Sequence, residues 1–96
     1  MENIYLTRNI RENLDLRILS KIMEILREKI KTNKNMDYFQ IFEISEDTLI
    51  NKQEVPEEKK EYKLNFKIQS KEKIWAVQGI DEIVGKYWTI MYPEEY

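Results

Sequence analysis

The chain is short of the groups that attack, donate or accept protons near neutral pH. It contains no cysteine and no histidine. Their absence removes thiolate nucleophiles, sulfur-ligated metals, the commonest general base and the common nitrogen ligand. Ser20, Ser45 and Ser70 have neither a nucleophile-elbow glycine pattern nor a histidine to activate them. Gly79 and Gly85 stand alone and form no phosphate-cradling loop. The carboxylates Glu54, Glu57 and Glu58 gather around Pro56, but without the glycine-containing spacing of a calcium loop. Solvated charge explains them. No catalytic residue, metal or cofactor is expected, and the chain reads as a non-enzyme.

Recognition chemistry is better represented. Trp75, Tyr87, Trp88 and Tyr92 gather near the end, interleaved with Lys73 and Lys86. Strand alternation sets Trp75 and Val77 against Ile74 and Ala76, and Trp88, Ile90 and Tyr92 against Tyr87, Thr89 and Met91. One aromatic set then fills the core, and the other could anchor a protein contact. With Lys63, Lys67 and Lys73, the tryptophans Trp75 and Trp88 could instead stack bases and hold phosphates of single-stranded nucleic acid. Lysines on a strand face also simply guard an edge. Gln53, Glu54 and Pro56 suit a recognition loop or a stiffened connection between strands. Arg8 could fork onto a partner carboxylate or phosphate, or bridge to the acidic carboxyl end. The candidate partner-binding set is therefore Arg8, Gln53, Glu54, Pro56, Trp75, Trp88 and Tyr92.

The elements that must position these residues are legible in part. At 96 residues and 42% hydrophobic content, residues 1–96 suffice for one domain with one core. Sixteen Lys and Arg against eighteen Asp and Glu leave a net charge of −2, a mixture that names no partner. No basic leader or long apolar run appears, so a cytoplasmic protein without a membrane segment is expected. From Leu14 to Lys31, apolar residues recur at helical spacing and cover about half the circumference. Asn13 or Asp15 is placed to cap the helix. Strands are expected at Ile4–Leu6, Tyr38–Ile44, Thr48–Gln53, Tyr62–Ile68, Lys73–Gln78 and Tyr87–Met91, with loops at Glu54–Lys60 and Gly79–Lys86. The fold class is α+β: one amphipathic helix packed on a mostly antiparallel sheet of about five to six strands, in the order β-α-β-β-β-β-β. Function then belongs on the opposite sheet face or the loops, with the helix as scaffold.

Several segments together resemble domain-of-unknown-function family 960. They are Tyr5-Leu6-Thr7-Arg8, Met36 to Glu43, Gln53-Glu54-Val55-Pro56 ahead of Lys60-Glu61-Tyr62, and the closing Glu94-Glu95-Tyr96. The resemblance implies an α+β fold and an origin in Gram-positive bacteria or their mobile elements, and it supplies no activity. Asn9 stands where the family usually places a glycine, a substitution that a left-handed turn would tolerate. Gln78 to Lys86 replaces an acidic, glycine-containing turn. The expected function is that of a small accessory or regulatory protein that binds another protein, for example a mobile-element-borne inhibitor of a host defence system. Nucleic-acid binding is the alternative, and a homodimer is compatible with either.

Overall fold

The long apolar stripe folds as expected, and its neighbours complete the layers. A computed structural model describes residues 2–32 and 35–96. The elements are β1 (Asn3–Leu6), α1 (Arg8–Asn13), α2 (Leu16–Thr32), β2 (Phe39–Ser45), β3 (Thr48–Glu54), β4 (Glu57–Lys63), β5 (Glu72–Asp81) and β6 (Gly85–Met91), followed by a 3-10 turn at Pro93–Glu95. The helical segment thus differs from the expected order by holding two helices. Thr7 Oγ1 accepts the Ile10 amide and caps α1, while Asp15 Oδ1 accepts the Arg17 amide at the start of α2. Asn9 lies inside α1, so the left-handed turn considered for it does not form.

The six strands make one sheet in the order β1-β6-β5-β2-β3-β4. Only the β1–β6 pairing is parallel, with Asn3 opposite Tyr87 and Leu6 opposite Ile90. Helix α2 covers one face with Ile18, Leu19, Ile22, Ile25 and Leu26. From the sheet, Phe42, Ile44, Leu49, Ile74, Ala76, Trp88 and Ile90 meet them. Each of these leucine, isoleucine and phenylalanine side chains contributes roughly 1.5–3 kcal/mol on burial before ordering entropy is subtracted. Leu16, expected within the stripe, is exposed because the first helical residue lies at the margin of this contact.

Three expected boundaries differ. The expected Glu54–Lys60 loop is a tight hairpin in which Glu54 pairs with Glu57 and Thr48 with Lys63. Strand β4 is polar because it lies at the sheet edge, where both its faces meet water except at Tyr62. The expected Tyr62–Ile68 strand stops at Lys63. Its alternation survives as burial alone, since Leu64 is buried and Tyr62, Phe66 and Ile68 pack against the core. The amides of Leu64 and Ile68 donate to Asp47 and Glu46 at the β2–β3 turn. The Gly79–Lys86 loop likewise contracts to residues 82–84. Tyr87 lies over Gly79, where a Cβ would come within 2.5 Å of its ring.

Candidate functional site

The sheet face turned away from α2 has at its centre the alternate residues of four strands. Phe39 and Ile41 come from β2, Trp75 and Val77 from β5, Tyr87, Thr89 and Met91 from β6, and Tyr5 from β1. Phe39 meets Trp75 edge-on, with ring centroids 4.8 Å apart. The 3-10 turn brings the Tyr96 ring to 5.7 Å from both. Tyr5 and Tyr87 make a second edge-on pair at 5.7 Å. Tyr5 and Tyr96 remain 46% and 69% exposed, and the side chains between them are half-buried. The Trp75 indole N–H is shielded and has no partner among the described residues. Charge begins beyond Ile41, where Glu43 holds Lys52 at 2.8 Å and Lys73 at 3.6 Å. The Lys52 hydrogen bond, before any other cause, holds the Glu43 carboxyl below its usual range.

The helix side of the sheet carries a different arrangement. Lys29, from the last turns of α2, donates to Gln40 Oε1 at 2.7 Å, Asn51 Oδ1 at 2.9 Å and Gln53 Oε1 at 3.1 Å. All three amides are buried. Gln53 Oε1 also accepts from the Asp37 amide and Gln40 Nε2, while its Nε2 donates to the Asn35 and Pro56 carbonyls. Asp37 Oδ2 accepts the Glu54 and Val55 amides, fixing the hairpin tip that holds the cis Val55–Pro56 peptide. Burial pushes the Lys29 ammonium pKa down, against the attraction of Glu58 and Asp37. The cluster ties helix to hairpin. Its amine is held by hydrogen bonds to three acceptors, which suits a structural cation better than a nucleophile. Among the described residues, no group of three or more acidic, histidine or cysteine side chains could hold a metal ion.

Sequence comparison adds one finding. A family model described as "Staphylococcal protein of unknown function (DUF960)" matches residues 3–95. The chain belongs to this family. No curated protein and no solved structure matches it. The family resemblance carried by the short motifs is thereby confirmed over nearly the whole DUF960 chain, and it brings no activity with it.

The structure separates the candidate residues of this DUF960 member. Trp75 lies on the open face, but Trp88 lies in the core at 1% exposure, its indole N–H donating to Glu2 Oε1 at 3.0 Å. Tyr92 packs against the core margin, where burial first, and then Glu72, raise its pKa. Gln53 is the buried hub described above, whereas Glu54 and Pro56 are exposed at the hairpin tip. Arg8 pairs with Glu12 at 3.0 Å one helical turn away. The carboxyl-end contact belongs instead to Thr7, whose hydroxyl donates to Glu95 Oε1. The nucleic-acid set does not assemble on one face, because Trp88 faces the core opposite Trp75. Lys63 pairs with Asp47 at 3.0 Å and Lys73 with Glu43, and Lys67 lies on the connection after β4. Sequence reasoning missed the Lys29 cluster. Its signal was parity, since Asn51 and Gln53 share the inward register of Leu49, and Gln40 that of Phe42 and Ile44.

Proposed function

We propose that the protein is a non-enzymatic accessory module that binds a folded protein partner through its open sheet face. The observation that carries this reading is the aromatic patch of Tyr5, Tyr87, Phe39, Trp75 and Tyr96, left uncovered opposite the helix. Tyr5 and Tyr96 alone offer roughly 170–290 Å² at their exposures. The half-buried neighbours extend the patch to the few hundred Å² at which exposed apolar surface on a monomer commonly serves contact. Rigid aromatic side chains are also the usual anchors of such interfaces. The centre carries no charge, and at its border the single carboxylate of Glu43 is shared by two ammonium groups, Lys52 and Lys73, so the fitting partner presents an apolar surface whose charge, if any, is acidic and at the rim. A cytoplasmic regulatory role suits a module so poor in catalytic groups, including inhibition of a host defence system by a mobile-element product. No helix among the described residues is long and apolar enough to cross a membrane.

The test is a photo-crosslinking amino acid placed at Thr89, in the middle of the face, or at Arg27, on the solvent side of α2, in a Gram-positive host. The Thr89 probe is expected to give a discrete protein adduct that the Arg27 probe does not, and Val77→Lys should abolish it. An adduct of twice the chain mass would identify a second copy as the occupant. No adduct, or the same adduct from both positions, would contradict the proposal, and crosslinking to nucleic acid would favour the other reading.

A further inference from the structure

The solvent flank of α2 and the edge strand β4 run side by side with a groove between them. Fifteen residue steps of α2, from Arg17 to Thr32, span about 22 Å, and the seven residues of β4 span about 23 Å. Two cavities fill the space end to end. One, of about 540 Å³, lies between Glu28, Lys29 and Thr32 on the helix and Glu58, Lys60 and Tyr62 on the strand. The other, of about 670 Å³, lies between Arg17, Lys21 and Glu24 and the run from Lys63 to Phe66. The second end is basic and aromatic. Arg17 sits 4.3 Å from the centre of the Phe66 ring, and Lys21 lies 5.5 Å from that of Tyr62, a residue of the first cavity whose ring Lys60 approaches to 5.2 Å. The Lys21 ion pair with Glu24 is a solvent-accessible contact that a new carboxylate can exchange at little cost, whereas Arg17 keeps its two bonds to Asp15 and has further guanidinium N–H groups to offer. Among the described residues no strand pairs beyond β4, so alternate residues turn their backbone N–H and C=O groups outward along the groove.

We propose that this groove receives an extended peptide segment of a partner protein, added antiparallel to β4 as a seventh strand. The segment's acidic residues lie in its N-terminal half. Antiparallel addition sets that half beside Lys60 to Lys63, the carboxyl half of β4, where its carboxylates meet Lys60 and Lys21 and, just beyond the strand, Arg17. Main-chain pairing would supply affinity, and the basic end would supply polarity of binding. Glu24, Glu28 and Glu58 along the same groove disfavour a polyphosphate backbone, and a nucleic acid cannot ladder onto a strand edge. This surface is distinct from the open aromatic face and stands or falls apart from it.

The experiment titrates the full chain with an acetylated, amidated heptapeptide carrying aspartate at its second and fourth positions among valine and threonine, the positions that fall opposite the helix-facing Tyr62 and Lys60. Binding is followed by amide chemical shifts. Shifts are expected on β4 and the facing flank of α2, and not on Phe39, Trp75 or Thr89. The reversed sequence, and a version with asparagine for aspartate, should bind at least about fivefold more weakly, and the gap should narrow with salt. Lys60→Glu, an exposed change, should weaken the acidic peptide by a similar factor while preserving signal dispersion. Methylating alternate peptide nitrogens should abolish binding in one phase and spare it in the other, as strand pairing requires. Lack of saturable binding up to millimolar peptide, equal affinity for all peptides, or shifts on the aromatic face would overturn the proposal. So would tighter binding of an oligothymidylate to the same residues.

Discussion

Lys29 is the residue on which the helix end and the β3–β4 hairpin both depend. Its ammonium satisfies three buried amide oxygens, and hydrogen bonds to a charged group are the strong ones. Lys29→Met keeps most of the stem and removes the donor. Gln40 and Gln53 retain other donors, but Asn51 Oδ1 has no other donor among these bonds. The expected loss is about 2–3 kcal/mol, read as a lower urea midpoint with unchanged slope. An unchanged midpoint would show that water replaces the ammonium without cost. Trp75 and Trp88 illustrate the same principle from opposite sides. Trp88 has a carboxylate for its N–H and a place in the core, whereas the Trp75 N–H finds no partner among the described residues.

At the scale of elements, α2 depends on its cap. Asp15 accepts the Arg17 amide and also binds the Arg17 guanidinium. The Arg17 side-chain hydrogen bond, first among the causes, brings the carboxyl from the usual 3.8 down to about 2. A folded-state pKa below the unfolded one stabilises the fold above the unfolded value, and that stabilisation disappears as pH falls through the folded value. Asp15→Ala should therefore cost about 1 kcal/mol at neutral pH. The gap from the wild type should persist down to pH 4 and close between pH 4 and pH 2. A gap independent of pH would assign the effect to helix propensity.

The cap and the apolar stripe were legible because each is a local pattern. So was the alternation within each late strand, but not that it puts Trp75 and Trp88 on opposite faces, because the register that sets Gln78 opposite Trp88 is fixed by pairing between β5 and β6. Strand β4 was hidden because an edge strand in water has no apolar period to read. The Tyr62–Ile68 alternation misled because an extended segment can bury every second side chain without a strand partner. The Lys29 cluster combines residues from α2, β2 and β3, a meeting that only the fold brings about. The helix is also more than scaffold on the proposed groove, since its flank supplies half the wall.

For the whole molecule, sheet order predicts a gradient of stability. Strands β5 and β2 lie at the centre, while β1 and β4 form the edges. Buried ladder bonds open only with global unfolding, whereas edges fray. Amides of Phe42, Ile44, Ile74 and Ala76 should thus exchange slowest in hydrogen–deuterium exchange, and those of β4 orders of magnitude faster. Comparable protection for β4 would mean that its outer edge is covered, which in dilute solution implies self-association at that edge.

The parallel pairing of β1 with β6 has a consequence for synthesis. Asn3 waits for Tyr87, more than eighty residues later, which at ordinary translation speeds is roughly 4–16 s. For much of that interval β1 is outside the ribosome without its neighbour, and Ile4 and Leu6 cannot yet pack. The hairpins β2–β3 and β3–β4 can close as they emerge, so the sheet grows from its far side toward the strand made first. The nascent domain therefore carries β1 unpaired, within reach of chaperones and of other nascent copies, until β6 is made.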